Sequence, residues 1–225
     1  DTRLERKVAI KRMLGDGARN RIAVSRFISE AKAIAKLDHD NIVDVYDYGR
    51  SSDGPFLVMQ YIDGGSLLDR CQAGALPVED AVDLICQVCD ALTMCHDAGV
   101  IHRDIKPANI LMTGDGSPRL TDFGLVKEDT IDGGQTAAGA VLGTLDFMPP
   151  EQRKDAALVD ARSDLWALGA TLYQMVSGRS PKIIKFSQVP QALQDVLEKA
   201  LEDEKDDRYQ TAGEFKDALQ ATTRT

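Results

Sequence analysis

The residues best suited to chemistry lie in the stretch VIHRDIKPANILM at positions 100–112. Asp104 is followed by Lys106 and then by Asn109, five positions after the aspartate. Pro107 blocks a regular helix through these polar residues, and the flanking segments are apolar and strand-like. We therefore predict a rigid polar loop between two short strands, in which cations, a carboxylate and an amide are brought together.

A second polar position follows another predicted strand, at Asp122 in the sequence TDFGL, where Gly124 permits a sharp turn. The side-chain oxygens of Asp104, Asn109 and Asp122 suit a hard cation such as Mg²⁺, which prefers one or two carboxylates together with substrate phosphates. Lys106 adds a point charge suited to a phosphate oxygen. This set of residues predicts magnesium-assisted chemistry on a phosphate group.

A third candidate is Lys11, which the strand-like sequence RKVAIKRM places on the inner face of its strand. A lysine at such a position is costly to bury without a partner of opposite charge. Glu30 is the only acidic residue of the next predicted helix, SRFISEAKAIAKL, and lies beside its apolar face. Glu30 is therefore a candidate partner for Lys11.

The predicted secondary structure that must position these residues changes from mostly strands to mostly helices at about residue 63. The first third reads as strand, helix, strand and strand, and the turn-rich RSSDG between the last two strands indicates a hairpin. Helices dominate after the connector DGGS, and they are predicted at 77–98 and at about 162–177, 190–202 and 211–221. The order predicts an α+β protein with a small β-rich lobe over residues 1–62 and a larger helical lobe over residues 63–225.

Composition argues against several classes of partner. The chain has 225 residues, a net charge of −9 and a pI near 4.9, so non-specific binding to nucleic acid or to an anionic membrane is not expected. No apolar run approaches the ~20 residues of a membrane span, and the first residues do not resemble a signal peptide. We predict a cytoplasmic protein that has no nucleic-acid partner and no membrane span in this segment.

Four cysteines lie between positions 71 and 95. Cys86 and Cys89 form a C-x-x-C pair with Cys95 and His96 close behind, a pattern found in zinc and redox sites. However, Cys86, Cys89 and Cys95 fall on the apolar face of a helical pattern with spacings of three and four residues. We favour small hydrophobic residues in a buried helix, with the metal or redox site as the alternative.

Four of these motifs, VAIK, HRDIKPAN, DFG and GTLDFMPPE, occur in one order and together resemble the catalytic domain of eukaryotic-type protein kinases. The resemblance runs from about residue 5 to residue 221 and implies a two-lobed kinase fold. It also implies use of ATP and Mg²⁺ to phosphorylate protein hydroxyls. Lys106 and Thr144 resemble the serine/threonine class, and LGTLDFMPPEQ resembles the bacterial branch.

The resemblance implies roles for individual residues of the catalytic centre. Lys11, paired with Glu30, would hold the α- and β-phosphates of ATP. Asp104 would be the catalytic base, and Lys106 would steady the γ-phosphate. Asn109 and Asp122 would bind the two magnesium ions. The adenine would be enclosed by a further set of residues, namely Ala9, Met59, Gln60, Ile62 and Leu111.

Other implied roles concern regulation and support. Arg103 resembles the arginine that grips a phosphothreonine in kinases switched by phosphorylation, for which Thr136 is the preferred candidate and Thr130 the second. Such a switch implies self-association for autophosphorylation. The predicted supporting residues are Asp164 behind the catalytic loop and the buried pair of Glu151 and Arg208.

The sequence also departs from the family pattern. The ten residues before Lys11 contain no glycine, whereas the family carries a glycine-rich phosphate-binding loop ahead of VAIK. We favour a chain that is part of a longer protein over true loss of the loop. True loss would favour the alternative function, a non-catalytic kinase-like module that acts as a scaffold or regulator.

Overall fold

The structure is a computed structural model that describes residue 1 and residues 5–13, 20–52, 54–124 and 145–223. Three threonines to which the resemblance assigns roles, Thr130, Thr136 and Thr144, lie outside these residues.

The first part of the chain forms an antiparallel sheet and one helix. Its strands are β1 (Val8–Arg12), β2 (Val45–Ser51) and β3 (Gly54–Gln60), in the order β1-β3-β2. The helix α1 (Arg21–Ile34) begins where the side chain of Asn20 accepts hydrogen bonds from two backbone amides of the first turn. The apolar face expected for α1, with Phe27 and Ala31, is buried in the core.

The rest of the chain is mostly helical, with one short hairpin. The hairpin consists of β4 (Ile110–Met112) and β5 (Pro118–Leu120). The helices are α2 (Leu67–Gln72), α3 (Val78–Asp97), α4 (Pro150–Lys154), α5 (Ala161–Ser177), α6 (Gln194–Ala200) and α7 (Ala212–Thr223). Among the described residues, no helix combines the length and the apolar character needed to cross a membrane.

Helix α5 lies at the centre of this larger lobe. Its start is set by a capping box in which Asp160 and Ser163 each bond the other's backbone amide, and it ends at Gly178 in the left-handed region, φ 66°. Nearly all of its side chains are buried, including Leu165 and Tyr173. This burial makes α5 a rigid support for the loop that precedes β4.

One helix is shorter than predicted. The helix expected over about 190–202 is α-helical only in α6, because a 3₁₀ turn over Gln191–Leu193 comes first. Pro190 cannot donate a backbone hydrogen bond and it favours such an irregular start.

The four cysteines are free thiols buried in the core of the larger lobe. Burial raises the pKa of Cys71 and Cys86 to about 11 and that of Cys95 to about 12, and it raises the pKa of Cys89 well above its ordinary value. Their positions fit the interpretation as small core residues.

A thiol-alkylation experiment tests this interpretation. A rise from 9.0 to about 11 lowers the thiolate fraction of Cys71 or Cys86 by about 100-fold near neutral pH. The folded protein should therefore react with iodoacetamide at least about 100-fold more slowly than the protein in guanidinium chloride. Rapid labelling of Cys86 and Cys89 in the folded state, or zinc retained through dialysis against a chelator, would support the alternative.

Candidate active site

The catalytic-loop candidates are positioned by the β4–β5 hairpin. Asn109 closes a 3₁₀ turn immediately before β4, and Asp122 follows β5 by two residues. The strands pair with Ile110 opposite Leu120, and the amide of Thr121 donates to the carbonyl of Asn109 at 3.0 Å. The hairpin therefore brings Asn109 and Asp122 to the same end, although they are 13 positions apart in the chain.

The carboxylate of Asp104 is held by two neighbours on the same loop. Lys106 Nζ lies 3.0 Å from Asp104 Oδ2, and Asn109 Nδ2 lies 2.9 Å from the same oxygen. Asn109 Nδ2 also donates to the carbonyl of Asp104 at 2.8 Å. Because its nitrogen makes both of these bonds, the side-chain oxygen of Asn109 is the atom that can act as a metal ligand.

The backbone of the loop is anchored to α5 by Asp164, whose side chain is buried. Asp164 Oδ1 accepts from the amide of Arg103 at 2.8 Å, and Oδ2 accepts from the amide of His102 at 2.8 Å. Arg103 has a positive φ of 64°, a conformation that costs free energy for a residue with a side chain. The two bonds from Asp164 stabilise that strained turn.

His102 is a buried structural residue. Its Nδ1 accepts from the amide of Asp104 at 3.3 Å, its Nε2 lies 3.0 Å from the carbonyl of Thr121, and its ring packs on Phe123 at 4.4 Å. Complete burial lowers the pKa of His102, which keeps the ring neutral near pH 7. A neutral ring with its proton on Nε2 satisfies both contacts and orients Asp104.

Lys11 has a different partner from the one predicted. Its Nζ lies 2.8 Å from Oδ1 of Asp122, and no ion pair joins it to Glu30, both residues being described. Glu30 instead lines a cavity of about 210 Å³ with Arg103 and Phe123. Lys11 thus reaches the carboxylate that follows β5 instead of the one on α1.

The residues predicted to enclose adenine lie around the junction of the lobes. Ala9 and Met59 are paired on β1 and β3, and Met59 also borders a small cavity with Asp122. Leu111 lies on β4, where it bridges to Ser66 at the start of α2. Gln60 and Ile62 are half-buried at the end of β3 and in the connector that follows.

Glu151 and Arg208 form a buried two-bond ion pair. Arg208 Nη1 and Nη2 each lie 2.9 Å from one oxygen of Glu151, and the Ser163 hydroxyl donates to Glu151 at 2.6 Å. Burial acts to raise the pKa of Glu151, but the bonds from Arg208 and Ser163 outweigh it and the pKa is lowered. The pair ties α4 to the segment before α7.

Sequence reasoning missed two residues that support the loop. Gln152 on α4 donates from Nε2 to the carbonyl of Arg103 at 3.1 Å. His96 in the last turn of α3 lies 2.9 Å from Asp164 Oδ2. The only signal in the sequence was that Gln152 and His96 are polar residues beside apolar helix faces. Their local spacing does not identify Arg103 or Asp164 as their partners.

Comparison with known proteins shows the family of this chain. The family profile described as "Protein kinase domain" matches residues 1–222. The chain therefore belongs to the protein kinase family, and the two-lobed α+β fold predicted from the motifs is confirmed. The predicted resemblance to serine/threonine kinase domains of bacteria is confirmed as well.

Two of the similar relatives are kinases of mycobacteria. The chain is 35% identical to serine/threonine-protein kinase PknB of Mycobacterium leprae over 241 aligned residues, which cover 96% of this chain and 39% of that protein. PknB of Mycobacterium tuberculosis is 36% identical, with 96% and 38% covered. The chain thus spans about two fifths of the length of these curated relatives.

Solved structures show the same fold. The crystal structure of the Mycobacterium tuberculosis PknI kinase domain matches with a TM-score of 0.77 and 27% identity, covering 96% of this chain and 86% of that domain.

Proposed function

We propose that this domain transfers the γ-phosphate of ATP to serine or threonine hydroxyls of proteins. The observation that carries the proposal is a continuous set of contacts. Lys11 bonds Asp122, the strand end before Asp122 bonds Asn109, and Asn109 bonds Asp104. Phosphoryl transfer depends on positioning and electrostatics more than on covalent chemistry by the protein, and this arrangement supplies both.

Magnesium fits the donor set. One carboxylate from Asp122 and the amide oxygen of Asn109 match the few protein ligands that magnesium takes when phosphates supply the rest. Within the described parts of the chain, no group of three or more acidic, histidine or cysteine side chains forms a full protein cage. When bound, the metal would neutralise charge on the transferring phosphate.

The side chains then divide the work. Asp104 accepts the proton of the substrate hydroxyl. The hydroxyl oxygen of the substrate bonds to the γ-phosphorus while the bond between the γ-phosphorus and the bridging oxygen breaks, so that ADP leaves. Lys106, which is 3.0 Å from Asp104, would also contact a γ-phosphate oxygen. Lys11 exchanges its contact with Asp122 for the α- and β-phosphates. Glu30 would then form its proposed ion pair with Lys11.

The proposed substrates are proteins, and they include a second copy of the same chain. Arg103 would receive a phosphate on Thr136 or Thr130 after transfer between two copies. Use of ATP and four reduced, buried thiols fit a cytoplasmic site of action.

The direct test measures transfer of labelled γ-phosphate by the full-length gene product to itself and to a generic acceptor protein. Transfer should require Mg²⁺, stop on addition of EDTA, and fall by at least about 100-fold in Asp122→Asn, which weakens the metal site. Asp97→Asn, at an exposed position at the end of α3, is the matched control and should retain full activity. Nucleotide binding without any transfer would instead support the non-catalytic kinase-like module.

A further inference from the structure

One arginine of the larger lobe contributes to the junction of the two lobes at the end of β3. Arg119 on β5 donates from Nη1 to the carbonyl of Ile42 at 3.3 Å and to Oε1 of Gln60 at 3.2 Å. Gln60 is the last residue of β3, and its own amide donates to the carbonyl of Asp44 at 2.9 Å. The guanidinium of Arg119 thus contacts both small-lobe segments that meet at the junction.

The segment 41–44, between α1 and β2, is attached to the same strand by further bonds. The amide of Leu120 donates to the carbonyl of Asn41 at 2.8 Å, and the amide of Val43 donates to the carbonyl of Leu120 at 2.9 Å. The side chain of Asn41 donates to the carbonyl of Pro118 at 2.9 Å in a buried contact. Segment 41–44 is therefore held by β5 on one side and holds Gln60 on the other.

Arg119 is half-buried, and its guanidinium makes its hydrogen bonds to the small lobe through Nη1. A cavity of about 550 Å³ borders it and is lined by polar side chains, including Asn41, Gln87 and Ser117. The buried Nε of Arg119 has no hydrogen-bond acceptor among the described residues. The direct side-chain contact between β5 and Gln60 is therefore the hydrogen bond from Nη1 of Arg119.

We propose that Arg119 is a positioning residue for nucleotide binding. By joining Gln60 to Ile42, it holds the backbone of residues 60–62 in one orientation relative to the larger lobe. The inference rests on the proposed function, because that function places the adenine edge against this backbone. A binding surface that is already ordered costs less to order when the ligand arrives. Loss of the link should therefore weaken nucleotide binding and leave the chemical step nearly unchanged.

Substitutions at the two ends of the link test this effect through steady-state kinetics. Arg119→Met and Gln60→Met should each raise KM for ATP by about five- to tenfold, with kcat within about twofold, because a binding interaction is lost that does not change in the transition state. Arg119→Lys keeps one charged donor group, and its KM for ATP should lie between that of these variants and that of the parent. The control is Arg50→Met, at an exposed arginine on β2 of the same lobe.

A gain of affinity provides a sharper test. Gln60→Glu replaces an amide oxygen with a carboxylate, which can form an ion pair with the guanidinium of Arg119 and accept two parallel hydrogen bonds from it. It should lower KM for ATP by about threefold in the parent and should give no gain in the Arg119→Met background. If Gln60 had only a general structural role, the effect of Gln60→Glu on KM would not depend on whether Arg119 is present.

Hydrogen–deuterium exchange of the nucleotide-free protein separates this proposal from the proposed function. The amides of Val43 and Gln60 should exchange about tenfold faster in Arg119→Met than in the parent, while the amides of α5 stay unchanged. Unchanged exchange at both amides, or a Gln60→Glu variant that behaves like Gln60→Met, would overturn the proposed role. If the parent binds no nucleotide, the proposed function fails, and the exchange data still decide whether Arg119 holds the junction.

Discussion

Asp104→Asn is expected to slow phosphate transfer by about 100- to 10,000-fold, the usual range for loss of a general base. The substitution keeps the size of the side chain but removes its ability to accept a proton. The remaining rate would come from orientation of the two substrates and from charges that do not depend on Asp104. Transfer of labelled γ-phosphate at saturating ATP measures the effect.

The contacts of Asp104 predict which other properties stay constant. Asp104 Oδ2 accepts from Lys106 and Asn109, and the carbonyl oxygen of an asparagine can accept from the same two groups. The variant should therefore fold normally and bind Mg²⁺–ATP with an affinity close to that of the parent. Asp97→Asn again serves as the matched control. An Asp104→Asn variant that retains at least half of the parental kcat would remove Asp104 from the proposed mechanism.

Arg208→Met is expected to lower the free energy of unfolding by about 3–5 kcal/mol, because it leaves the carboxylate of Glu151 buried without its charged partner. The side chain of Arg208 is 0% exposed and that of Glu151 is 8% exposed. Arg208 also donates to the carbonyls of Glu202 and Asp203 at 2.7 and 2.8 Å, and these acceptors would lose their partner as well. Urea unfolding followed by circular dichroism measures the loss.

A double substitution separates the ion pair from the other bonds of Arg208. Glu151→Met combined with Arg208→Met removes both charges, so the double variant should be more stable than Arg208→Met alone. Arg70→Met, at an exposed arginine of α2, should change stability by no more than about 0.5 kcal/mol. A double variant less stable than Arg208→Met would show that the buried charge of Glu151 is not the source of the cost.

The same pair predicts a dependence on pH. The folded-state pKa of Glu151 lies below its ordinary value of 4.5 because of the bonds from Arg208 and Ser163, although burial acts in the opposite direction. The unfolded chain therefore takes up a proton at a higher pH than the folded protein does. The stability from this group is fully present above pH 4.5 and is lost as the pH falls through the folded-state pKa. The difference between the parent and Arg208→Met should shrink over that range.

Local sequence patterns were sufficient for most of the fold. The helix face of α1, with Phe27 and Ala31, follows from a spacing of four residues, and the helical extent of α3 follows from its apolar period. The proposal that residues 102–109 form a catalytic loop rests on Asp104 and Asn109 together with three other motifs in order. Each of these signals lies within a short stretch of chain, where residue type and backbone geometry are directly coupled.

The partners of the site residues depended on tertiary packing instead. Lys11 pairs with Asp122, which is 111 positions away, and not with its predicted partner Glu30. Arg119 reaches Gln60 across 59 positions, and no motif includes both residues. An ion pair or a hydrogen bond forms where folded elements bring two groups within about 3 Å of each other. The separation of two residues along the chain does not determine this distance. For this reason the sequence could propose which residues belong to the site, whereas only the packing of the two lobes decided which charges meet within it.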